Sequence, residues 1–209
     1  MTRTARAIGV CLTAAAWMAS STVTRAASPA ASACPTMFSL SGDLSVNPEF
    51  EVPDPGVPVG VATCWEAGDT DPAVSAAASW TMHTSNSGAR VCSKLVPSTA
   101  PGHAPGSYMV AFSAGGNEGG VFQNATLDPS RTYMFSVWVF VRTGQVAIQS
   151  NAITGGPVAW STTHGQWEQL RVCTNSLFST NALVVYNQDP NGGVFFADRA
   201  QRVEIPTLE

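Results

Sequence analysis

Lysine is almost absent from this 209-residue sequence, since Lys94 is the only one, and charged residues make up 11% of the chain. The ten lysine and arginine residues are outnumbered by fourteen aspartates and glutamates, which gives a formal net charge of −4 at pH 7. A nucleic-acid-binding surface needs clustered lysine and arginine. This charge balance therefore excludes nucleic acid as a partner.

The sequence also lacks an apolar run long enough for a stable membrane span. Its most apolar window, residues 7–21, is diluted by glycine, serine and threonine, whereas a transmembrane helix needs about 20 strongly apolar residues. Arg3 and Arg6 precede this window and small residues follow it, which is the three-part pattern of a signal peptide. We predict a cleavable leader over residues 1–33, with the cleavage bond undetermined. The mature protein is then secreted, periplasmic or at the cell surface, without stable membrane insertion.

Recognised catalytic motifs are missing as well. H-E-x-x-H, G-x-S-x-G and G-x-x-x-x-G-K-[ST] do not occur. A glycosidase needs two facing carboxylates, and no motif pairs Glu118, Glu168 or Asp189. A polysaccharide lyase that uses a Tyr-His pair remains an alternative, and the three available histidines are His83, His103 and His164. These absences favour a non-catalytic protein.

The cysteines indicate disulfide bonds. Cys11 is lost with the predicted leader, which leaves an even number, and exported proteins keep such cysteines oxidised. A zinc site is the competing interpretation, but no C-x-x-C pair is present. We predict two disulfides, with all three pairings open, among Cys34, Cys64, Cys92 and Cys173.

The apolar pattern of the mature chain is that of β-strands. Short alternating runs bounded by glycine, proline, asparagine and aspartate recur, and none has a sustained helical period. In the clearest strand, residues 133–142, a period of two places Tyr133 and every second residue on a core face, and Trp138 and Arg142 on the other face. We predict an all-β protein, a two-sheet antiparallel β-sandwich formed as a single domain by residues 34–209.

Several segments, in order, carry a family pattern. Residues 46–51 (VNPEFE) resemble an opening strand, residues 165–170 (GQWEQL) an internal strand and residues 193–198 (GVFFAD) a closing strand, while the strongest match is residues 121–139 with V-F-Q, L-D-P and Y-M-F-S-V-W-V. Together, over residues 47–205, they resemble the jelly-roll carbohydrate-binding modules of the family 4/9 and 22 type, in the galactose-binding-like superfamily. The family usually follows the closing aspartate with a second acidic residue or asparagine and then valine, whereas here Arg199 and Ala200 follow Asp198.

The resemblance implies a ligand-binding face for a polysaccharide or glycan. Sugar-binding sites combine aromatic rings with side-chain amides and charged groups, and the non-core faces of three strands supply both. The predicted cleft residues are Trp138, Arg142, Gln149, Tyr186 and Gln188. The alternative is that Trp138 and Tyr186 are secondary core residues under a loop. A second possible platform lies in polar loops and consists of Trp80, His83, Trp160 and His164.

The resemblance also implies a structural calcium ion. Modules of this kind commonly hold Ca²⁺ between a carboxylate of the first strand and one of the last, and Glu51 and Asp198 match those positions. Calcium takes six to eight oxygen ligands, so backbone carbonyls would have to complete the site. The alternative is that both are ordinary exposed carboxylates.

We therefore predict an exported, non-catalytic carbohydrate-binding module. One alternative is a structural or adhesive surface protein that binds protein or cell wall. A less favoured alternative is an exported polysaccharide lyase or glycoside hydrolase.

Overall fold

The computed structural model describes residues 42–70, 73–84, 89–116, 118–150, 157–175 and 180–205. Within these ranges it contains β-strands and no helix, so no described helix has the length and apolar character needed to cross a membrane. The predicted leader over residues 1–33 lies outside them. The strands are β1 (Thr63–Glu66), β2 (Thr81–His83), β3 (Arg90–Pro97), β4 (Tyr108–Ala114), β5 (Gly120–Thr126), β6 (Thr132–Thr143), β7 (Val146–Ser150), β8 (Val158–Trp160), β9 (Trp167–Asn175), β10 (Thr180–Asn187) and β11 (Gly193–Ile205).

These strands form two antiparallel sheets. The six-stranded sheet has the order β1-β3-β4-β11-β6-β9, and the five-stranded sheet has the order β2-β5-β10-β7-β8. The apolar core contains side chains from both sheets. The predicted all-β, two-sheet antiparallel sandwich is confirmed.

Strand β6 shows why the sheets pack together. Its alternate residues Tyr133, Phe135, Val137, Val139 and Val141 are only 0–2% exposed, as the period of two predicts. They join one apolar cluster with residues of β5 and β10 from the other sheet. Burying a side chain of this size stabilises the fold by about 1.5–3 kcal/mol, so this strand alone is a major part of the core.

Strand β11 contains a β-bulge. It pairs Asp198 with Trp138 and Gln201 with Ser136, so β11 has one more residue than β6 over the same stretch. Arg199 adopts a left-handed backbone conformation there, with φ of 49°. A bulge redirects side chains that would otherwise alternate, and this one positions Asp198 and Arg199 beside a loop described below.

One arginine is part of the core. Arg202 is 0% exposed, its guanidinium lies 5.4 Å from the ring centroid of Phe135, and its Nη2 donates to the Gln123 carbonyl at 2.8 Å. Burial lowers the pKa of Arg202 to about 10, which still leaves the side chain charged at neutral pH. The Gln123 side-chain amide in turn bonds the backbone of Val46 in both directions.

A disulfide ties the edge strand β1 to β3. Cys64 and Cys92 face each other directly in the register and form an S–S bond across a sequence separation of 28. Cys173 is also disulfide-bonded, and Cys34 lies outside the described residues. Disulfides are typical of proteins that mature in an oxidising compartment.

Replacing both Cys64 and Cys92 by serine should lower the free energy of unfolding by about 3 kcal/mol, because the bond restricts the unfolded chain. Urea denaturation followed by circular dichroism measures this. Ser113→Ala is the matched control, since Ser113 is the exposed register partner of Cys92 on β4 and its loss should leave the midpoint unchanged. An unchanged midpoint in the double variant would show that the bond does not stabilise the edge strand.

Candidate functional site

The outward surface of the five-stranded sheet carries a row of aromatic and small residues. Since Val121, Leu183 and Val185 point into the core, their neighbours along the strands point outward. The register aligns five of them across the sheet, in the order His83, Gly120, Tyr186, Ala147 and Trp160. Rings thus alternate with residues that have little or no side chain.

A second row lies beside the first and completes what we name the outer five-strand face. It consists of Thr81, Phe122, Val184, Gln149 and Val158. The rings of His83 and Phe122 meet edge to face with centroids 6.1 Å apart. Ala147, Val184 and Tyr186 are buried and form an apolar cluster separate from the main core. The face therefore has an apolar surface that carries polar groups such as the Tyr186 hydroxyl and the Gln149 amide.

A depression of about 70 Å³ opens on this face and is lined by His83, Glu118, Gln149, Val184 and Tyr186. The Tyr186 hydroxyl donates to Gln149 Oε1 at 2.8 Å, which fixes an aromatic ring and an amide relative to each other. Glu118 stands in the left-handed region with φ of 61°, a conformation that costs a non-glycine residue free energy. Its backbone N–H donates to the Asn187 carbonyl at 2.5 Å, and this contact helps to hold Glu118 at the rim.

Burial shifts the pKa values of two side chains in the depression, His83 and Tyr186. Burial lowers the pKa of the His83 imidazole below 6.5, and the nearby Glu118 carboxylate opposes this shift. Burial also raises the pKa of the Tyr186 hydroxyl above 10.0, against the effect of a hydrogen bond with the Gln188 side chain. At neutral pH the depression therefore presents a neutral imidazole and a protonated phenol.

The five predicted cleft residues divide between the two sheets. Gln149, Tyr186 and Gln188 come together, since the first two share the outer five-strand face and Gln188 bonds Tyr186. Trp138 and Arg142 lie on β6 in the six-stranded sheet. A single cleft containing all five is therefore not formed.

The short connection between β6 and β7 explains this division. β6 ends at Thr143 and β7 begins at Val146, yet the two strands belong to different sheets. Gly144 has φ of 83°, a conformation that glycine adopts at little cost, and this permits the sharp change of direction. Residues that are close in sequence on either side of Gly144 thus lie on opposite surfaces of the sandwich.

Trp138 and Arg142 have aromatic neighbours on the outward surface of the six-stranded sheet. Phe140, beside them on the same strand face, meets Trp167 and Phe196 edge to face at centroid distances of 5.8 and 6.0 Å. The Arg142 guanidinium lies 4.8 Å from the ring centroid of Phe196. This cluster is a separate half-exposed surface, and a ligand-binding role for Trp138 and Arg142 stays a prediction.

The predicted loop platform is also divided. Trp80 is 3% exposed and belongs to the core, where its Nε1 donates to the Asn47 carbonyl, so it is not a loop-tip residue. His164 is exposed and bonds the Gly144 carbonyl at 2.8 Å. His83 and Trp160 instead lie on strands of the outer five-strand face. The sequence analysis did not predict this grouping. The small residues Gly120 and Ala147, each on a strand next to that of Tyr186, were the available signal for it.

The two predicted calcium ligands, Glu51 and Asp198, lie near each other beside His103. Asp198 is 0% exposed and accepts hydrogen bonds from the Ser98 hydroxyl and the Arg199 backbone N–H. Burial raises the pKa of Asp198 to about 6, against the effects of Ser98 and His103. Glu49 joins the group through His103.

This chain resembles known proteins in its fold but not in its sequence. No protein-family model and no curated protein match the sequence. Among solved structures, a cyclase from Fischerella sp. TAU aligns at a TM-score of 0.50 and 12% identity over 78% of this chain and 96% of the cyclase. A family 61 carbohydrate-binding module in complex with β-1,4-galactotriose aligns at 0.48 and 15% over 78% and 98%. A family 22 xylan-binding domain from Paenibacillus barcinonensis aligns at 0.45 and 12% over 76% and 99%.

Carbohydrate-binding modules are thus among the structural neighbours of this chain, as the sequence resemblance implies. The identities are low, so the likeness concerns the fold alone. One fold hosts unrelated functions, and function has to be argued from the residues of the outer five-strand face.

The His83 imidazole should titrate with a pKa below 6.5 in an NMR pH titration, and Glu118→Gln should lower that pKa further, because it removes the negative charge that favours the imidazolium. Glu168→Gln is the matched control, since the Glu168 carboxylate is bound by Thr162 and Thr163 instead and should leave His83 unaffected. A pKa that rises in Glu118→Gln would contradict the described arrangement.

Proposed function

We propose that this protein binds a glycan through the outer five-strand face and does not chemically alter it. The observation that carries the proposal is the fixed pair of Tyr186 and Gln149 in a depression flanked by His83 and Trp160. Aromatic rings cover the apolar C–H face of a pyranose, and amides and carboxylates bond its hydroxyls. Both kinds of group occur here side by side.

The spacing of the rings favours a chain of sugars over a single one. His83, Tyr186 and Trp160 are each two strands apart, and neighbouring strands are about 4.8 Å apart, so successive rings stand roughly 10 Å from each other. Gly120 and Ala147, which lie between these rings in the row, have little or no side chain. The depression has a volume of about 70 Å³, well below the range of about 300–1,000 Å³ for pockets that enclose a ligand, so a sugar would lie against it without being enclosed. It suits one sugar unit of a polymer that continues across the sheet.

We further propose that the protein acts outside the cytoplasm. Arg3 and Arg6 followed by an apolar window have the pattern of a signal peptide, and the Cys64–Cys92 disulfide is typical of an oxidising compartment. A polysaccharide is a fitting ligand in that location.

Trp160→Ala should weaken glycan binding about tenfold or more, because aromatic side chains often contribute a large share of the affinity of a contact. Tyr186→Phe should weaken it less, since the ring stays and only the hydroxyl's bonds with Gln149 and Gln188 are lost. Trp138→Ala is the matched control, as it removes a half-buried tryptophan from the other sheet. Ligands are first found with a glycan array and with insoluble cellulose, xylan, β-glucan and chitin, and affinities are then measured by calorimetry.

Two outcomes would count against this assignment. If Trp138→Ala abolishes binding while Trp160→Ala does not, the ligand surface is the aromatic cluster of the six-stranded sheet. If the correctly folded protein binds none of the glycans, glycan binding itself is rejected. Thermal denaturation of each variant separates loss of a contact from loss of the fold.

The depression favours a polysaccharide lyase as the second candidate function. His83, neutral at neutral pH, would remove the proton beside a uronate carboxylate, and the Tyr186 hydroxyl would protonate the leaving glycosidic oxygen. Incubation with uronate-containing polysaccharides would then release unsaturated products, measured by ultraviolet absorbance. His83→Gln should abolish the release while His164→Gln, an exposed-histidine control, retains it. No release by the unmodified protein would reject this candidate.

A further inference from the structure

Three carboxylates converge on one histidine beside β11, an interior strand of the six-stranded sheet. Glu49 and Glu51 flank Phe50, whose side chain is 0% exposed and whose ring packs on Trp80 with centroids 4.9 Å apart. The side chains of Glu49 and Glu51, on either side of it, are 37% and 38% exposed. Phe50 has a left-handed backbone, with φ of 55°, so the chain changes direction there.

The third carboxylate is Asp198, at the bulge of β11, and the histidine is His103, in the loop between β3 and β4. Together with Arg199, these residues form what we name the His103 cluster, which consists of Glu49, Glu51, His103, Asp198 and Arg199. The His103 side chain is 6% exposed. Segments far apart in sequence therefore meet at one buried imidazole ring.

The ring of His103 lies between the carboxylates. Its Nε2 is 2.5 Å from Glu49 Oε2, and its Nδ1 is 3.4 Å from Asp198 Oδ2 and 3.8 Å from Glu51 Oε1. Nε2 forms a hydrogen bond with Glu49, whereas Nδ1 approaches Asp198 and Glu51 without the geometry of a hydrogen bond. The Nε of Arg199 lies 3.5 Å from the same Glu49 oxygen.

The donors described here do not fit the calcium ion that the family resemblance implies. Calcium takes six to eight oxygens at 2.3–2.6 Å, and the space between Glu51 and Asp198 holds an imidazole nitrogen instead. The oxygens are also engaged by protein donors, since Glu51 Oε1 accepts from the Tyr108 backbone N–H at 2.9 Å and Asp198 Oδ1 accepts from the Arg199 N–H at 2.8 Å.

The sequence departs from the family at the same place. Members of the family usually carry a second acidic residue or asparagine after the closing aspartate, and this chain carries Arg199 there. Its Nη1 donates to the Pro101 carbonyl at 3.2 Å, in the loop that also carries His103. A residue that would add negative charge or an oxygen ligand is thus replaced by a cation that contacts Glu49 and the His103 loop.

We propose that His103, supported by Arg199, takes the position of the calcium ion that the family resemblance implies and holds Glu49 and Glu51 to strand β11, so that this protein folds stably without a divalent cation. The imidazole and the Arg199 guanidinium then do the work that a metal does elsewhere, because their contacts link Glu49, Asp198 and the loop of residues 98–107.

The first test uses the unmodified protein. The metal content of the purified full-length mature protein is first measured by mass spectrometry. The protein is then dialysed against EDTA, and its thermal midpoint is compared in EDTA and in millimolar CaCl₂. We expect no stoichiometric metal before dialysis and the same midpoint in EDTA and in calcium. Stoichiometric metal, or a midpoint that EDTA lowers and calcium restores, would overturn the proposal.

The second test removes the imidazole. His103→Ala should lower the thermal midpoint by about 5 °C or more, because it removes a buried ring that contacts Glu49 and Asp198 and leaves a cavity beside them, and Arg199→Ala should lower it by a smaller amount. His164→Ala, at an exposed histidine, is the matched control and should have almost no effect. A His103→Ala midpoint equal to that of the control would overturn the proposal.

A third measurement remains decisive even if the variants are hard to purify. Calcium should not bind the unmodified protein in a calorimetric titration, but it should raise the midpoint of His103→Ala, in which the space between the carboxylates is vacated. Tight calcium binding by the unmodified protein would overturn the proposal. None of these measurements involves a glycan, so their results are independent of the proposed binding function.

Discussion

The constraint on which the rest of the structure depends is that two sheets must share one apolar layer. Strand β6 contributes alternate residues from Tyr133 to Val141 to this layer, and β10 contributes Leu183 and Val185 from the opposite side. Since a strand that buries one face must expose the other, the packing of the core decides which residues are left on the surfaces. The outer five-strand face and the aromatic cluster around Phe140 are both consequences of the same packing.

The sequence predicted what depends on short range. The alternation of β6 was correct residue by residue, and the association of Gln149 with Tyr186 followed from their strands. What could not be predicted was which sheet each strand joins, because that depends on pairing between distant segments and on the direction change at Gly144. For this reason Trp138 was grouped with Tyr186, although they lie on different sheets. Trp80 was judged by its polar neighbours in sequence, whereas its environment is set by Phe50 and the Asn47 carbonyl.

Long-range charge contacts were the least predictable. Glu49, His103 and Asp198 are separated by more than fifty residues at each step, and nothing in a local pattern indicates that they meet. The resemblance identified Asp198 and Glu51 as important, yet it could not reveal a histidine between them. Arg202 is a similar case, since a core position with an arginine is identified only when the Gln123 carbonyl and the Phe135 ring are seen beside it.

In the part of the chain that the structure describes, three of the four edge strands are very short, since β1 has four residues and β2 and β8 have three each. An edge strand exposes unpaired backbone groups that can recruit a strand from another molecule, and short edges limit such recruitment. Both edges of the five-stranded sheet are short, so the sheet with the outer aromatic row offers little backbone to a neighbouring chain. A protein of this design can be concentrated on a polymer surface, many copies side by side, with little tendency to merge into β-aggregates.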